Sequence, residues 1–194
     1  MRVILATMNA GKLAEVAAIV GSAADVVRLE ASGEIKLPPE EGATYEQNAL
    51  GKGRAVATAA GVAALADDSG LEVDVLGGVP GVRSSRYAGP GCDPQANNEK
   101  LLRELDGVPA RERGARFVCV AALVTAEGRE WLARGEVVGR IAGSPRGTGG
   151  FGYDPLFIPA GHERTFAEMA PEEKNEISHR TRAFREIKEY LKEI

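Results

Sequence analysis

A mixed α/β fold is predicted by three observations. Short apolar runs alternate with helical periodicities from residue 2 to residue 66, two long β-rich runs lie back to back over residues 115–125 and 131–141, and the chain closes on an amphipathic helical stripe. Helices between the early strands favour parallel pairing, whereas the late hairpin brings antiparallel strands, so one mixed β-sheet flanked by helices is expected. The chain of 194 residues is 44% hydrophobic, which suits one large domain or two small lobes with a real core.

Residues 2–6 form a short apolar run that stops at polar residues, after which Leu13, Val16, Ala17 and Val20 recur at helical spacing up to Gly21. Residues 26–29 read as a second strand, followed by a loop with Gly33, Pro38, Pro39 and Gly42. Thr44 and Gln47 have the spacing of a capping box at the head of an Ala-rich helix that Gly61 ends. A strand over residues 62–66 then delivers Asp67 and Asp68 at its end. The glycine- and proline-rich stretch 77–91 reads as an irregular loop holding Arg83, Arg86 and Tyr87. Asp93-Pro94 starts a helix with Leu101, Leu102 and Leu105 on its buried side. Glu127-Gly128 separates the two hairpin strands, and a second glycine-dense loop covers 143–152. Ser178 is the expected cap of a last helix whose Ala183, Phe184, Ile187, Tyr190, Leu191 and Ile194 form an apolar stripe, as core or as a dimer surface.

Composition excludes several function classes. A net charge of −4 argues against a general nucleic-acid or membrane binder, because such proteins need a basic face that displaces counterions. Only Cys92 and Cys119 occur, with no Cys or His at ligand spacing, so neither a disulfide framework nor a zinc site is expected and a cytoplasmic location fits. No signal peptide and no membrane span are expected, since the first apolar run is cut by Thr7, Asn9 and Lys12 and 18 uninterrupted apolar residues occur nowhere.

Five groups of residues could carry chemistry. Asp67 and Asp68 follow an apolar run, where a carboxylate loses hydration and a neighbouring one adds repulsion, so the pair calls for a metal, a cation or strong donors; the alternative is a strand-ending turn. Thr7-Met8-Asn9-Ala10-Gly11-Lys12 sits where strand gives way to helix, a place suited to phosphate; otherwise Asn9 is a cap and Lys12 a solvated lysine. A glutamate from the Glu40-Glu41-Gly42 loop facing Asp68 would supply the oxygen ligands that Mg²⁺ prefers, with Lys52 reaching the same phosphates. In the run from Gly147 to Asp154, four of eight residues are glycine, with Phe151, Tyr153 and Asp154 among them. Glycine lets a flat ligand approach, an aromatic ring stacks on it, and a carboxylate accepts from ring N–H groups, so this loop could form a base pocket rather than a plain hairpin exit. Lys174, His179 and Arg180 concentrate positive character in an acidic chain.

In this order, Thr-x-Asn-x-x-Lys, Thr-Tyr-x-x-Asn-Ala, Ala-Asp-Asp-Ser-Gly-Leu, Gly-Gly-x-Pro-Gly, Gly-Gly-Phe-Gly-Tyr-Asp-Pro and Ser-His-Arg resemble the inosine triphosphate pyrophosphatase family over residues 3–180. The resemblance implies a single domain over 1–194 with an elongated two-lobed α/β fold, a long mixed sheet and an active site in the cleft between the lobes. It also implies a homodimeric, Mg²⁺-dependent enzyme that hydrolyses the noncanonical purine triphosphates ITP, dITP and XTP to the monophosphate and pyrophosphate. By the same resemblance Thr7, Met8, Asn9, Ala10, Gly11 and Lys12 hold the triphosphate, Asp68 is proton acceptor and metal ligand, and Ser69 contacts substrate. Phe151, Gly152, Tyr153 and Asp154 line the base pocket, Lys174 binds nucleotide, and His179 and Arg180 contact the base. The family's metal-binding glutamate lies three residues before a glycine, where this chain has Pro39, so Glu40 or Glu41 takes its place.

Overall fold

The computed structural model describes residues 1–29 and 35–194, so Gly33 of the predicted loop lies outside the described residues. Its strands are β1 Arg2–Leu5, β2 Asp25–Arg28, β3 Ala64–Val73, β4 Gly114–Val124, β5 Glu130–Ile141 and β6 Phe157–Pro159. The helices are α1 Ala10–Val20, α2 Tyr45–Ala60, α3 Pro94–Glu104, α4 Pro171–Ile177 and α5 His179–Tyr190.

The strands form one six-stranded sheet in the order β2-β1-β3-β4-β5-β6. β1 pairs in parallel with β2, Ile4 opposite Val27, and with β3, Leu5 opposite Leu65. β5 and β6 pair antiparallel, Arg140 opposite Ile158, so the sheet is mixed as the order of elements requires. The β4 to β5 turn is closed by the Thr125 N–H on the Arg129 carbonyl at 2.9 Å.

The chain divides into two compact units. Unit 1 comprises Met1–Asp68, Cys119–Gly135 and His179–Ile194, and unit 2 comprises Ser69–Val118 and Glu136–Ser178. In unit 1, Val16 and Val20 of α1 meet Val3, Leu5, Leu65 and Leu123 of the sheet and Phe184 and Ile187 of α5. The C-terminal stripe is therefore core: Ala183, Phe184, Ile187 and Leu191 are buried, with Tyr190 and Ile194 packed at the margin. Ala17, expected on the buried face of α1, is exposed, and Leu13 and Ile19 flank the core instead. Gly135 is obligatory in β5, because a Cβ there would stand 2.1 Å from the His179 carbonyl oxygen, so its bareness is what lets the start of α5 lie against the strand. In unit 2, Leu101 and Leu105 pack with Phe117, Phe157, Leu156 and Phe166, and the Phe117 ring stacks on Phe166 at a centroid distance of 6.1 Å.

Two expectations about element limits change. β3 does not stop before the acidic pair but runs on to Val73, so Asp67, Asp68 and Ser69 sit inside a strand. The turn propensity of Asp-Asp-Ser-Gly is overridden because both carboxylates find tertiary partners and Leu71 and Val73 beyond them are fully buried. α4, with Pro171 in its first turn, and β6 are elements the periodicity did not reveal, both being too short to show a repeat.

Candidate active site

In unit 1 the strand-to-helix turn after β1 folds as its sequence suggests. Asn9 caps α1 by accepting the Lys12 N–H at 3.1 Å, and Thr7 Oγ1 accepts the Asn9 N–H at 3.2 Å. Thr7 and Gly11 are half-buried, whereas Met8, Asn9 and Ala10 face solvent. Lys12, poorly placed against the positive end of its helix, is compensated by Asp67, 2.9 Å from its ammonium.

Successive side chains on a strand leave from opposite faces, and the two aspartates accordingly take different partners. Asp67, 1% exposed, meets Lys12, the Arg180 guanidinium at 3.5 Å and the Cys119 thiol at 3.9 Å. Burial alone would raise its pKa, but Lys12, Arg180 and Lys52 outweigh that and hold the carboxyl far below the ordinary carboxylate range. Arg180, also 1% exposed, is held by Glu15 of α1 and by Asp67; burial opposes its charge, yet the two carboxylates keep the guanidinium firmly protonated.

Asp68 accepts a hydrogen bond of 2.8 Å from Asn48 Nδ2. Its pKa is raised, chiefly by burial, with Lys52 and Asn48 offsetting part of the rise and Glu40 adding to it. Asn48 and Lys52 are one helical turn apart on α2, so they share a face, and both are buried. The capping pair is present in altered form: Thr44 accepts the Gln47 N–H at 3.2 Å, while Gln47 returns its bond to the Ala43 N–H. Asn48 Oδ1 in turn accepts the Gly42 N–H at 2.8 Å, which ties the Glu40-Glu41-Gly42 loop to Asp68 through a single side chain. Lys52 contacts Glu40, the half-buried member of the glutamate pair, whereas Glu41 is exposed. Burial disfavours the Glu40 charge, but Lys52 and Lys12 reverse this and lower its pKa. Burial likewise opposes the Lys52 charge, and Asp67, Glu40 and Asp68 overcome it.

The second group lies in unit 2. Asp154 Oδ2 accepts the Phe151 N–H at 2.8 Å and the Lys174 ammonium at 2.7 Å, closing the Phe151 to Asp154 segment into a turn. The Lys174 ammonium also stands 5.0 Å from the centroid of the Phe151 ring. Gly150 has a φ of +68° and no room for a side chain, since a Cβ would come 2.1 Å from Asp154 Oδ2. The Gly152 carbonyl accepts from Asn98 Nδ2 at 3.0 Å, and the buried Tyr153 donates its hydroxyl to the Ser84 carbonyl at 2.9 Å. Ser69 follows Asp68 on β3, half-buried.

The structure thus brings Lys12 and Arg180 onto Asp67, and Glu40 and Lys52 within electrostatic reach of Asp68, in unit 1, and Phe151, Gly152, Tyr153, Asp154 and Lys174 together in unit 2. His179 is buried at the start of α5. Asn48, Glu15 and Asn98 are functional candidates that sequence reasoning missed. Asn48 had a signal, its i,i+4 spacing to Lys52 on an otherwise Ala-rich face; Glu15 and Asn98 had none. Among the described residues, no group of three or more His, Cys, Asp or Glu is placed to hold a metal unaided. Two carboxylates, Asp68 and Glu40, whose charge adds to the rise of the Asp68 pKa, do fit a hard divalent cation that takes its remaining ligands from water and phosphate oxygens.

Fold and site together define an α/β protein with a buried charge network behind a strand-to-helix turn suited to anions. The chain belongs to the Ham1 family, whose model matches residues 3–190. It is 48% identical over 197 residues to a dITP/XTP pyrophosphatase of Elusimicrobium minutum, covering 99% of this chain and 100% of the relative. A Streptomyces avermitilis protein of the same name is 47% identical, covering 100% and 98%. Among solved structures, a HAM1 protein from Coxiella burnetii superposes with a TM-score of 0.89 at 38% identity, covering all of both chains.

Proposed function

We propose that this protein is a nucleoside triphosphate pyrophosphatase that hydrolyses noncanonical purine nucleoside triphosphates, ITP, dITP and XTP, to the monophosphate and pyrophosphate. The observation that carries the reading is the convergence of Asp68, Glu40, Lys52 and Lys12 in unit 1, a pairing of carboxylates with ammonium groups that suits a polyphosphate and its counter-cation. The names of the relatives supply the substrate class.

The turn from Thr7 to Lys12 takes the triphosphate, with Lys52 as a second cation and Ser69 as a further substrate contact. Asp68 acts as general base toward the attacking water, a role that its raised pKa favours by making the carboxylate a better proton acceptor. Mg²⁺ is the cofactor, held by Glu40 and Asp68, and it supplies charge neutralisation of the phosphate oxygens when bound. Arg180, expected to contact the base, is instead buried with its guanidinium on Glu15 and Asp67, and it acts by fixing Asp67 and through it Lys12. In unit 2 the Phe151 to Asp154 turn and Lys174 take the purine, and His179 adds to the base contacts. A 6-keto purine offers an acceptor oxygen and a protonated N1, which a lysine donor and a carboxylate acceptor match. Adenine leaves both unpaired, at about 1–3 kcal/mol for each buried group.

The two units work as one catalytic domain over residues 1–194, and the protein acts as a homodimer in the cytoplasm on a small-molecule substrate, without nucleic acid or membrane. Among the described residues no helix is long and apolar enough to cross a membrane. The test is a substrate panel of ITP, XTP, dITP, GTP and ATP with pyrophosphate detection. Mg²⁺-dependent release from the first three, abolished by Asp68→Asn in a protein with unchanged circular dichroism, is the expected result. Near-normal turnover in that variant would remove Asp68 from the mechanism, and orthophosphate as the first product would remove the pyrophosphatase reading. Gel filtration with light scattering gives the stoichiometry, twice 20.4 kDa for the dimer.

A further inference from the structure

In this structure the ammonium of Lys52 rests on the carboxylate of Glu40, one of the two residues assigned above to the cation. The ammonium and a divalent cation compete for that carboxylate, both for its oxygens and through like-charge repulsion, so a cation that takes Glu40 works against the contact. Lys52 is buried on α2 one turn after Asn48, and its neighbours are Glu40 and the two aspartates of β3, so it cannot simply swing out to water. The surrounding charge explains why an ammonium is held there. Around Asp67 and Asp68, three cationic side chains, Lys12, Lys52 and Arg180, face four carboxylates, Glu15, Glu40, Asp67 and Asp68. One negative charge is in excess, and without Lys52 the two acids nearest the surface would be left to repel each other. A divalent cation turns that excess into one positive charge, which an incoming polyphosphate then meets.

We infer that Lys52 is a built-in counter-cation: it occupies Glu40 while the divalent ion is absent, is displaced when the ion binds, and is thereby delivered to the phosphates. The inference rests on the proposed function and adds to it an order of events, since the same lysine both weakens ion binding to the empty protein and withholds itself from a polyphosphate until the ion is present. A long, flexible stem with a rotatable ammonium suits such a transfer from carboxylate to phosphate, where a planar guanidinium would not.

The test is the binding of Mn²⁺ to the nucleotide-free full-length protein, followed by electron paramagnetic resonance. Lys52→Met is expected to tighten Mn²⁺ binding by about tenfold, within the usual range for coupling between two sites. Lys12→Met, which removes an equal charge committed to Asp67, is expected to change it less than about twofold, because the contact and not the general field sets the competition. A second arm needs no metal: with chelator present, Glu40→Gln is expected to bind inorganic pyrophosphate about fivefold more tightly than the wild type, because Lys52 is released. Unchanged or weaker Mn²⁺ binding in Lys52→Met, an equal gain in Lys12→Met, or no gain in pyrophosphate binding by Glu40→Gln overturns the inference. Should Lys52→Met fail to fold, the Glu40→Gln arm decides alone. A wild-type protein that releases pyrophosphate from ITP but fails these tests loses the counter-cation only, whereas one without that activity loses the function proposed above.

Discussion

The two polar clusters of this molecule are built on opposite plans. In unit 1, Lys12, Arg180, Glu15 and Asp67 come from α1, α5 and β3, and each ion meets ions of the other sign, Asp67 and Arg180 fully buried and Lys12 and Glu15 partly so. In unit 2, one buried pair, Asp154 and Lys174, closes a short glycine-rich turn that also meets backbone groups, the Asn98 amide and an aromatic ring. The first plan makes strong fields by importing charge from distant parts of the chain. The second makes a shaped, weakly charged surface out of contiguous sequence. In the function proposed above, the former suits a phosphate tail and the latter a flat heterocycle.

The contrast is broken most directly at Arg180. Replacing it with Met removes the guanidinium that Glu15 and Asp67 share and leaves the buried Asp67 and the partly buried Glu15 short of a cation, which should cost about 3–5 kcal/mol. Urea denaturation at neutral pH measures the loss. A cost below about 1 kcal/mol, the level of an exposed pair, would mean that the network is not a coupled unit.

Gly150→Ala sharpens the comparison at the other cluster, with an intermediate effect. The new Cβ adopts a left-handed φ and meets the Asp154 carboxylate, so the turn must open at about 1–3 kcal/mol. Because the turn is local, the cost should appear as lost base discrimination and a raised KM for ITP, with a drop in Tm of only a few degrees and with Mn²⁺ binding in unit 1 unchanged. If KM and the ITP to ATP ratio stay at the wild-type values, the turn is not the base reader.

The same difference explains how much could be read in advance. The turn within the Gly147 to Asp154 run is legible because Phe151 and Asp154, which close it, are neighbours in sequence, and glycine, aromatic and acid each have a recognisable job there, whereas its lysine, Lys174, comes from 20 positions on and is read only with His179 and Arg180. The mixed sheet and most helices were legible for a related reason, since periodicity and caps are local signals. The inside of unit 1 was not. Nothing in the order of residues says that Arg180 meets Glu15, 165 positions away, or that β3 continues through Asp67 and Asp68. That Asp67 needs a cation could be read, but not which one, because Lys12 and Arg180 arrive from α1 and α5 only after folding. Asn48, present in the Thr-Tyr-x-x-Asn-Ala motif, has no legible role there because its value lies in joining a loop amide to a strand carboxylate, a link that exists only in three dimensions.

The smallest expected effect tests whether burial, rather than ion pairing as such, sets the two plans apart. Arg54 makes a bidentate contact with Glu130 in unit 1, through Nε at 2.6 Å and Nη2 at 2.8 Å, a geometry better than that of Arg180 with Asp67 at 3.5 Å. Yet the Arg54 side chain is 57% exposed, so water and salt screen the pair and its rotamer freedom is lost on pairing. Arg54→Ala should therefore cost no more than about 1 kcal/mol, and adding salt should shrink that cost further. The Arg180 variant should keep its deficit in the same salt series, because its partners are shielded from counterions by protein. Equal salt sensitivity in the two variants would show that the Arg180 network is open to solvent, and the distinction between an imported, buried field and an ordinary surface ion pair would then fail.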